Sequence, residues 1–283
     1  MSFKTQELVM VTGTSSGIGR ATAEQLAAEG FHVLAGVRRQ EDADTIKRKN
    51  IEPVIVDVTN IETLKALAKR VEQDPLGRPL RAVVNNAGIA VNAPLEMVPL
   101  DEFRRQIEVS VIGQVAVIQA LTPALLTSGG RVVNIGSLGG KVSMPGFGIY
   151  SAAKFAMEAI NDSLRREMSS FGLKVIMITP GGVSTGLSEQ GITTAERLAK
   201  LMTPDQHRRH DRLFDAVKAQ AETWAKDGIR PEKVAAVVSR AIHERKPRTR
   251  YTVGRDSALL TRLVRILPDK LLDRMLRSQM KLQ

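Results

Sequence analysis

The side chains with the clearest chemical potential in this 283-residue chain are a tyrosine, a lysine and a serine. Lys154 follows Tyr150 by four residues, and Ser137 lies 13 residues before the tyrosine. Positions i and i+4 share one face of a helix, so a helix over residues 150–171 would place the lysine beside the phenol. A nearby cation favours the phenolate and lowers the phenol pKa from about 10 toward the range useful for acid/base catalysis. We therefore expect a proton relay for a carbonyl or an alcohol, with Ser137 hydrogen-bonded to the substrate oxygen.

A glycine-rich turn near the start of the chain predicts a nucleotide site. The apolar run Leu8–Thr12 predicts a strand, and the glycines that follow have the spacing G-x-x-x-G-x-G before a predicted helix. Backbone N–H groups at a helix N-terminus suit a pyrophosphate, and glycines let it approach closely. The residues expected to line this site are Gly13, Ser15, Ser16, Gly17, Ile18 and Gly19. The alternative is an ordinary glycine turn between a strand and a helix.

The end of the second predicted strand, His32–Gly36, favours NADP(H) over NAD(H). An NAD site usually places a carboxylate on the ribose 2′-hydroxyl about 20 residues beyond the glycines, whereas an arginine accommodates a 2′-phosphate. This strand ends without an acid, and Arg38 and Arg39 follow it. Ser15 could add a hydroxyl donor to the same phosphate. The alternative is that both arginines are ordinary solvated side chains.

These features and several later motifs, taken in order, resemble the short-chain dehydrogenase/reductase family from about Leu8 to Thr185. The motifs are Thr12-Gly-Thr-Ser-Ser-Gly-Ile-Gly19, Asp57-Val58, Asn85-Asn-Ala-Gly88, Ser137, Tyr150 with Lys154, and Pro180-Gly-Gly-Val-Ser-Thr185. The segment Ala35–Arg38 and the extended basic C-terminus are similar to the hydroxysteroid and retinol dehydrogenase branch. A sterol, a retinoid or a long-chain lipid is therefore the expected type of substrate.

The resemblance implies how these motifs would hold a nicotinamide dinucleotide. Asp57 and Val58 would contact the adenine, and residues 86–88 would lie along the ribose. Val183 and Thr185 would hold the nicotinamide carboxamide, while Lys154 would bind the ribose and lower the tyrosine pKa. Beyond the glycine turn, the implied cofactor residues are Arg38, Asp57, Val58, Asn86, Ala87, Gly88, Tyr150, Lys154, Pro180, Gly181, Val183 and Thr185.

One position departs from the family pattern. Family members usually carry an asparagine in the long helix after Asn-Asn-Ala-Gly, where it completes a proton relay by holding a water near the lysine. Here the stretch is Glu108-Val-Ser110-Val-Ile-Gly113, which puts Ser110 at that place. A serine keeps a hydroxyl but lacks the amide donors. Our hypothesis is that catalysis survives, because the backbone carbonyl at this position can still bind water.

Alternating strand and helix patterns predict an α/β fold with a doubly wound, Rossmann-type parallel sheet in a single domain with a C-terminal helical extension. Further strands are predicted at Val54–Val58, Ala82–Val84, Arg131–Ile135 and Lys174–Ile178. We expect the Rossmann domain to cover residues 1–255, with a substrate-covering segment at 186–228. The segment 186–203 is expected to be mobile, with apolar residues that line the substrate site or simply pack as a helix.

The chain has no cysteine, which excludes disulfides and thiolate catalysis. No metal site is expected, because His207 and His210 stand among arginines rather than carboxylates. The longest apolar stretch, Val111–Leu126, is interrupted by glutamines and falls short of a membrane span. A polar start and the lack of a signal-peptide core favour a cytoplasmic protein.

The excess positive charge lies in the last fifth of the chain. Residues 230–283 hold 14 lysines and arginines against 5 acids, which is nine of the formal net charge of +11. From residue 256, leucines recur at helical spacing with arginines between them, interrupted by Pro268. This basic amphipathic extension, 256–283, could dock on its own sheet, on a partner subunit, or on an anionic membrane surface. Nucleic acid is not expected, because the region has only Tyr251 to stack on bases.

The sequence therefore predicts an NADP(H)-dependent oxidoreductase that interconverts a carbonyl and an alcohol on an apolar small molecule. The predicted catalytic residues are Ser137, Tyr150, Lys154 and Ser110. The resemblance also implies a homo-oligomer. Two alternatives remain open: a catalytically silent NADP-binding protein, and a membrane-surface lipid-binding protein with a vestigial nucleotide site.

Overall fold

Short apolar runs spaced along the chain form the strands of one parallel sheet in the computed structural model, which describes residues 6–264 and 266–282. The strands are β1 (Leu8–Thr12), β2 (His32–Val37), β3 (Ile51–Ile55), β4 (Leu80–Asn85), β5 (Arg131–Ile135), β6 (Lys174–Pro180) and β7 (Arg250–Val253). Their order across the sheet is β3-β2-β1-β4-β5-β6-β7, and every pairing is parallel. The chain thus reverses direction across the sheet between β1 and β4, where ligands bind in folds of this kind.

Helices cover both faces of the sheet, which confirms the predicted doubly wound fold. They are α1 (Gly17–Ala28), α2 (Gln40–Ile46), α3 (Ile61–Glu72), α4 (Leu100–Ile107), α5 (Gly113–Ser128), α6 (Gly148–Glu167), α7 (Gly186–Ala199), α8 (Pro204–Asp227), α9 (Pro231–His243), α10 (Arg255–Leu263) and α11 (Asp269–Gln279). One core cluster joins the sheet to α1 and α9, and a second joins its other face to α3 and α5. Because both faces are covered, the central strands are continuous apolar runs rather than alternating ones.

Two strand predictions need correction. The third strand spans Ile51–Ile55, three residues earlier than predicted, and carries Pro53. It is an edge strand, where a missing N–H is tolerated, and its exposed and half-buried residues give a weak apolar signal. Val56 and Val58 are buried although they follow the strand, and this apolar signal shifted the predicted strand toward the C-terminus. The short edge strand β7, on the opposite edge, was not predicted at all.

The helix at α4 and α5 accounts for the apolar stretch noted in the sequence. With a π-helical turn at Glu108–Ile112, these elements form a continuous helix over Leu100–Ser128. By length and composition alone this helix could cross a membrane, so the sequence prediction underestimated it. A core helix passes the same test, and α5 packs its buried face on β4 and α3.

The segment expected to be mobile after Thr185 is helix α7, which packs along α8. Leu198 is fully buried beside Ile89 and Val91, so it serves helix packing. Leu201, by contrast, is exposed. At Leu198, the apolar side chain therefore packs within the helical region, as the second of the two sequence-based alternatives had it.

The C-terminal extension folds back on its own domain through α11. Leu276 and Met280 are buried, and Met280 packs with Phe147 and Val217. Pro268 stands just before α11, where the sequence placed a break. The outer surface of the extension still exposes apolar side chains at Leu259, Ile266 and Leu271.

Candidate active site

The glycine-rich turn connects β1 to α1 with its backbone tightly packed. A Cβ atom on Gly19 would lie 2.1 Å from the carbonyl oxygen of Gly13, so only glycine fits at residue 19. The N-cap residue of α1, Ser16, makes no side-chain capping bond. The first N–H groups of α1 are therefore open to an anion, and the turn fits a pyrophosphate.

Hydrogen bonds between the end of β1 and the residues just after β4 hold this turn in place. The amide of Asn86 donates to the carbonyl oxygens of Thr12 and Gly13, both at 3.0 Å. In return, the hydroxyl of Thr12 accepts hydrogen bonds from the backbone N–H groups of Asn86 and Ala87, both at 3.0 Å. Asn86 thus builds the nucleotide cleft as well as lining it. From the sequence, Asn86 was expected only to line the cleft, and Thr12 stood in the glycine motif without a predicted role.

A cleft of about 580 Å³ lies at the carboxyl ends of the strands, around the point where the strand order reverses. The predicted cofactor residues that line it are Gly13, Ser15, Ser16, Gly17, Ile18, Arg38, Asp57, Val58, Asn86, Ala87, Gly88 and Thr185. This set combines an anion-binding turn, a cationic end and backbone polar groups, and it fits a dinucleotide.

The other predicted cofactor residues lie outside the lining of this cleft. Gly19 is buried beneath the turn, and Pro180 ends β6 in register with Val253. Gly181 approaches Ser257, and Val183 is buried and forms an isolated bridge to Ile229. Tyr150 and Lys154 do not line the cleft either, and the cofactor contacts implied for Tyr150, Lys154, Pro180, Gly181 and Val183 stay predictions.

Three arginines line the cleft. Arg38 follows β2, while Arg104 and Arg105 come from α4 and pair with acids of the same helix, at 2.7 Å to Asp101 and 3.0 Å to Glu102. Arg39 is exposed and does not line the cleft. Sequence reasoning missed the α4 arginines, because nothing in their spacing links α4 to β2.

Three acids line the same cleft, namely Asp42, Asp57 and Glu108. Asp42 of α2 lines the cleft together with Arg38. A carboxylate near the adenosine end is the feature that usually favours a free ribose 2′-hydroxyl. The arginines and the acids of the cleft are equal in number, and Asp42 is the residue that would moderate a preference for a phosphorylated ribose.

The predicted catalytic residues come together where β5 and α6 meet. Ser137 follows β5 and caps a short turn at Leu138–Gly140; its hydroxyl accepts a hydrogen bond from the N–H of Gly139 at 3.0 Å. Tyr150 lies in the first turn of α6 and is half-buried, as is Ser137. Helix α6 starts two residues before the tyrosine, so the i and i+4 relation to Lys154 is confirmed.

Lys154 is buried, with 5% of its surface exposed, and its ammonium lies 5.8 Å from the centre of the Tyr150 ring. The ammonium donates a hydrogen bond to the carbonyl oxygen of Ile135 at 2.9 Å. Burial lowers the pKa of Lys154 to about 8, and the nearby Glu158 carboxylate opposes this change. The lysine can therefore lose its proton close to neutral pH.

The tyrosine pKa differs from the sequence expectation. Burial raises the pKa of Tyr150, while a hydrogen bond with the Ser137 side chain opposes that rise. The expected lowering by Lys154 is not found, because the ammonium is directed to a backbone carbonyl and burial has the larger effect. The raised pKa keeps the Tyr150 phenol protonated, which suits a proton donor.

Ser110 lies in the π-helical turn and is buried, with 1% of its surface exposed. Its hydroxyl oxygen accepts hydrogen bonds from the amide of Gln106 at 2.8 Å and from the N–H of Ile89 at 3.3 Å. Gln106 also binds Ile89 and Val91 through their backbones. The Ser110 side chain thus fixes the loop after β4, a role that sequence reasoning did not assign. Single π-turns within helices are frequent at functional sites.

A second cavity, of about 380 Å³, opens beside the start of α6. Its lining comes from the loops after β4 and β5, from the first residue of α6 and from α11: Ala93, Leu95, Ser143, Met144, Pro145, Gly146, Gly148, Asp273, Leu276 and Arg277. These loops directly precede Tyr150 or follow Gly88. The cavity is therefore a candidate for the substrate side, and the C-terminal extension forms one wall of it.

The described residues contain no group of three or more acids and histidines that could hold a metal ion. His207 pairs with Asp211 at 2.7 Å and His210 with Glu96 at 2.6 Å on the outer surface of α8. Asp211 is local in sequence, whereas Glu96 is distant in the chain and could not be linked to His210 from the sequence.

Comparison with known proteins agrees with this geometry. Residues 7–196 match the family described as short chain dehydrogenase. A reductase from Ornithobacterium rhinotracheale, named NADPH-dependent 3-dehydrocapnine reductase, is 30% identical over 280 residues, covering 96% of both proteins. Retinol dehydrogenase 7 from Mus musculus is 34% identical over 278 residues, covering 95% of this chain and 87% of that protein.

Among solved structures, a short-chain dehydrogenase from Streptomyces avermitilis is 29% identical, with a TM-score of 0.76 over 98% of this chain and 96% of that one. The chain therefore belongs to the short-chain dehydrogenase family. Within that family it resembles the retinol dehydrogenase branch. It is an oxidoreductase by family, and the Tyr150, Lys154 and Ser137 cluster is where its chemistry is expected.

Proposed function

We propose that the protein is an NADP(H)-dependent oxidoreductase that interconverts a carbonyl and an alcohol on an apolar small molecule. The observation that carries this proposal is the convergence of Ser137, Tyr150 and Lys154 at the carboxyl edge of the sheet that also bears a dinucleotide-sized cleft. A bound nicotinamide dinucleotide supplies hydride-transfer chemistry. The chain itself binds and orients both reactants and moves one proton.

In the reducing direction, the Ser137 hydroxyl orients the substrate carbonyl by a hydrogen bond. The Tyr150 hydroxyl then gives its proton to that oxygen, which becomes the alcohol. The Lys154 ammonium stabilises the phenolate left behind, and a proton from solvent restores the tyrosine. The raised pKa of Tyr150 keeps the phenol protonated before the step, because burial disfavours the phenolate.

The preference for NADP(H) rests on Arg38, which lines the cleft after β2. Arg38 offers a guanidinium, which binds a phosphate by charge-assisted hydrogen bonds. The relative from Ornithobacterium rhinotracheale is named as NADPH-dependent, which supports the same preference here. NAD(H) is the weaker candidate.

An apolar substrate is supported by the cavity beside α6. Its lining includes the hydrophobic side chains of Leu95, Met144 and Leu276. The names of the retinol dehydrogenase relatives are in keeping with a hydrophobic substrate. A steroid, a retinoid or a lipid-like carbonyl compound would fit this description.

The test is consumption of NADPH with a panel of apolar ketones and aldehydes. Tyr150→Phe keeps the ring but removes the proton, so it should lose activity while still binding NADPH in a direct binding measurement. Activity that survives in Tyr150→Phe would contradict the mechanism. Binding of NADPH without turnover of any carbonyl by the wild type would favour the catalytically silent alternative.

Self-association is part of the proposal. Large apolar side chains are exposed at Ile112 and Leu126, on the helix of α4 and α5, and at Phe155 on α6. The two helices are neighbours in the fold, and we take their exposed apolar side chains as the surface for contact with a second subunit. Light scattering should give a mass above that of the monomer, and Phe155→Glu should lower it; a monomeric wild type would contradict the proposal.

The proposed function also includes peripheral contact with an anionic membrane, which the exposed apolar side chains of the C-terminal extension favour. Ile266 is 78% exposed and Leu259 is 60% exposed, among several basic residues. Apolar anchors with basic neighbours bind such surfaces. Co-sedimentation with anionic vesicles should weaken in a Leu259→Glu, Ile266→Glu double variant; equal sedimentation would contradict it. A cytoplasmic location stays a prediction.

A further inference from the structure

Glu158 lies one turn after Lys154 in α6, at position i+4, and it has no part in the proposed proton transfer. Its side chain is 8% exposed, which is unusual for a carboxylate. A buried charge is costly unless it is paired, so such a residue needs a physical reason. That reason is found in the groups around it.

Two cations hold the Glu158 carboxylate in one position. Lys141, just after the turn that Ser137 caps, lies 2.6 Å from its Oε2 atom. Arg250 of β7 donates to the same oxygen at 2.7 Å and to Asp162 at 2.7 Å. The carboxylate is therefore fixed between the Ser137 loop, α6 and the edge strand.

The backbone makes room for this arrangement at Gly140. A Cβ atom there would lie 2.8 Å from the carbonyl oxygen of Lys154 and 3.3 Å from Cγ of Glu158. The turn that carries Ser137 thus rests directly on the turn of α6 between the lysine and the glutamate. The charge of Glu158 is held close to the catalytic lysine by packing as well as by ion pairs.

One oxygen of Glu158 is left over. Its Oε1 atom is buried and has no hydrogen-bond partner among the described residues. Nor is there an ion pair within 4 Å between Glu158 and Lys154 among the salt bridges of the described chain. The two side chains therefore interact through space, in a region with little water, where a charge acts more strongly than at the surface.

We propose that Glu158 is a positioning residue that keeps Lys154 in its charged form for the proposed reaction. The fixed negative charge favours the ammonium against the cost of burial. The other charged groups around Glu158 are Lys141, Arg250 and Asp162. Lys141 and Arg250 pair with Glu158, and Asp162 pairs with Arg250, whereas Lys154 has no ion pair among the described residues.

The inference rests on the proposed function, and the pH dependence of turnover tests it. In Glu158→Gln the lysine loses its opposing charge, so its pKa falls below about 8. The high-pH limb of the kcat profile should then move about one pH unit lower. Glu158→Asp keeps the charge and should restore the limb to the wild-type position. An unmoved limb in Glu158→Gln would overturn the proposal.

Asp162→Asn is the matched control, because it removes another acid that binds Arg250 from the same helix. The high-pH limb of the kcat profile of Asp162→Asn should stay at the wild-type position. A shift as large as that of Glu158→Gln would mean that the disturbance comes from Arg250 and would overturn the specific role of Glu158.

A measurement without turnover separates this inference from the proposed function. The difference in unfolding free energy between the wild type and Lys154→Met follows the titration of Lys154. The same difference, measured in a Glu158→Gln background, should change at a lower pH. If it does and no carbonyl is reduced, the charge coupling stands and the proposed function fails. If it does not, the coupling itself is wrong.

Discussion

The ammonium of Lys154 donates a hydrogen bond to the carbonyl oxygen of Ile135, the last residue of β5, at 2.9 Å. This contact fixes a buried cation at the carboxyl end of the sheet, beside the tyrosine that transfers the proton. The lysine is costly for the fold and useful to the site. The buried Lys154 ammonium therefore lowers the stability of the fold while it serves the proposed reaction.

The pH dependence of that cost can be predicted. The folded pKa of Lys154 is about 8, below the ordinary value of 10.5, so the unfolded chain binds more protons between these pH values. Its burial therefore lowers stability below pH 8, and the loss is recovered as the pH rises. Lys154→Met should be stabilised relative to the wild type by about 2 kcal/mol more at pH 7 than at pH 10. Denaturant unfolding at both pH values measures this, and a difference independent of pH would contradict it.

The cofactor preference gives a second prediction, with a control from the next residue. Arg38→Ala removes a guanidinium that lines the cleft, so the Kd for NADPH should rise by about 10- to 100-fold, as expected for a lost charge-assisted hydrogen bond. The Kd for NADH should change little. Arg39→Ala, at an exposed residue outside the cleft, should leave both constants unchanged. Titration calorimetry decides it; equal losses for both cofactors would show that Arg38 does not select the phosphate.

The central strands were predicted well, because a fully buried strand appears in the sequence as a short continuous apolar run. Leu8–Thr12 and Arg131–Ile135 form strands with the predicted bounds, since both are central and fully buried. The edge strands were shifted or missed. Their partly exposed residues do not form apolar runs, and their place depends on a neighbouring strand rather than on their own sequence.

The sequence could predict those site residues that lie close to one another along the chain. Ser137, Tyr150 and Lys154 meet because β5 and α6 are neighbours in both sequence and space. Arg104 and the α11 residue Leu276 reach the two cavities only through tertiary packing. No spacing in the sequence encodes such long-range contacts, so only the structure could assign them.

Ser110 gives a third prediction. Its hydroxyl oxygen accepts from Gln106 and from the N–H of Ile89, and an amide oxygen could accept the same two hydrogen bonds. Ser110→Asn should therefore leave kcat unchanged or raise it. Ser110→Ala leaves those buried donors without an acceptor and should lower stability by about 1–3 kcal/mol. Steady-state kinetics and denaturant unfolding test the pair; a loss of activity in Ser110→Asn would contradict the hypothesis that this relay tolerates a serine.

Helix α11 offers two leucines for a matched test of whether the C-terminal extension belongs to the fold. Leu276 is 4% exposed and lines the cavity beside α6, whereas Leu271 is 48% exposed on the same helix. Leu276→Ala should lower the free energy of unfolding by about 2–4 kcal/mol, because it removes buried methyl groups, and should raise KM for an apolar carbonyl substrate.

Leu271→Ala should change stability by less than about 0.5 kcal/mol, as for an exposed site. Denaturant unfolding and steady-state kinetics of both variants give the answer. If both leave stability and KM unchanged, α11 does not dock in solution. If only stability changes, the helix supports the fold but forms no part of the substrate site.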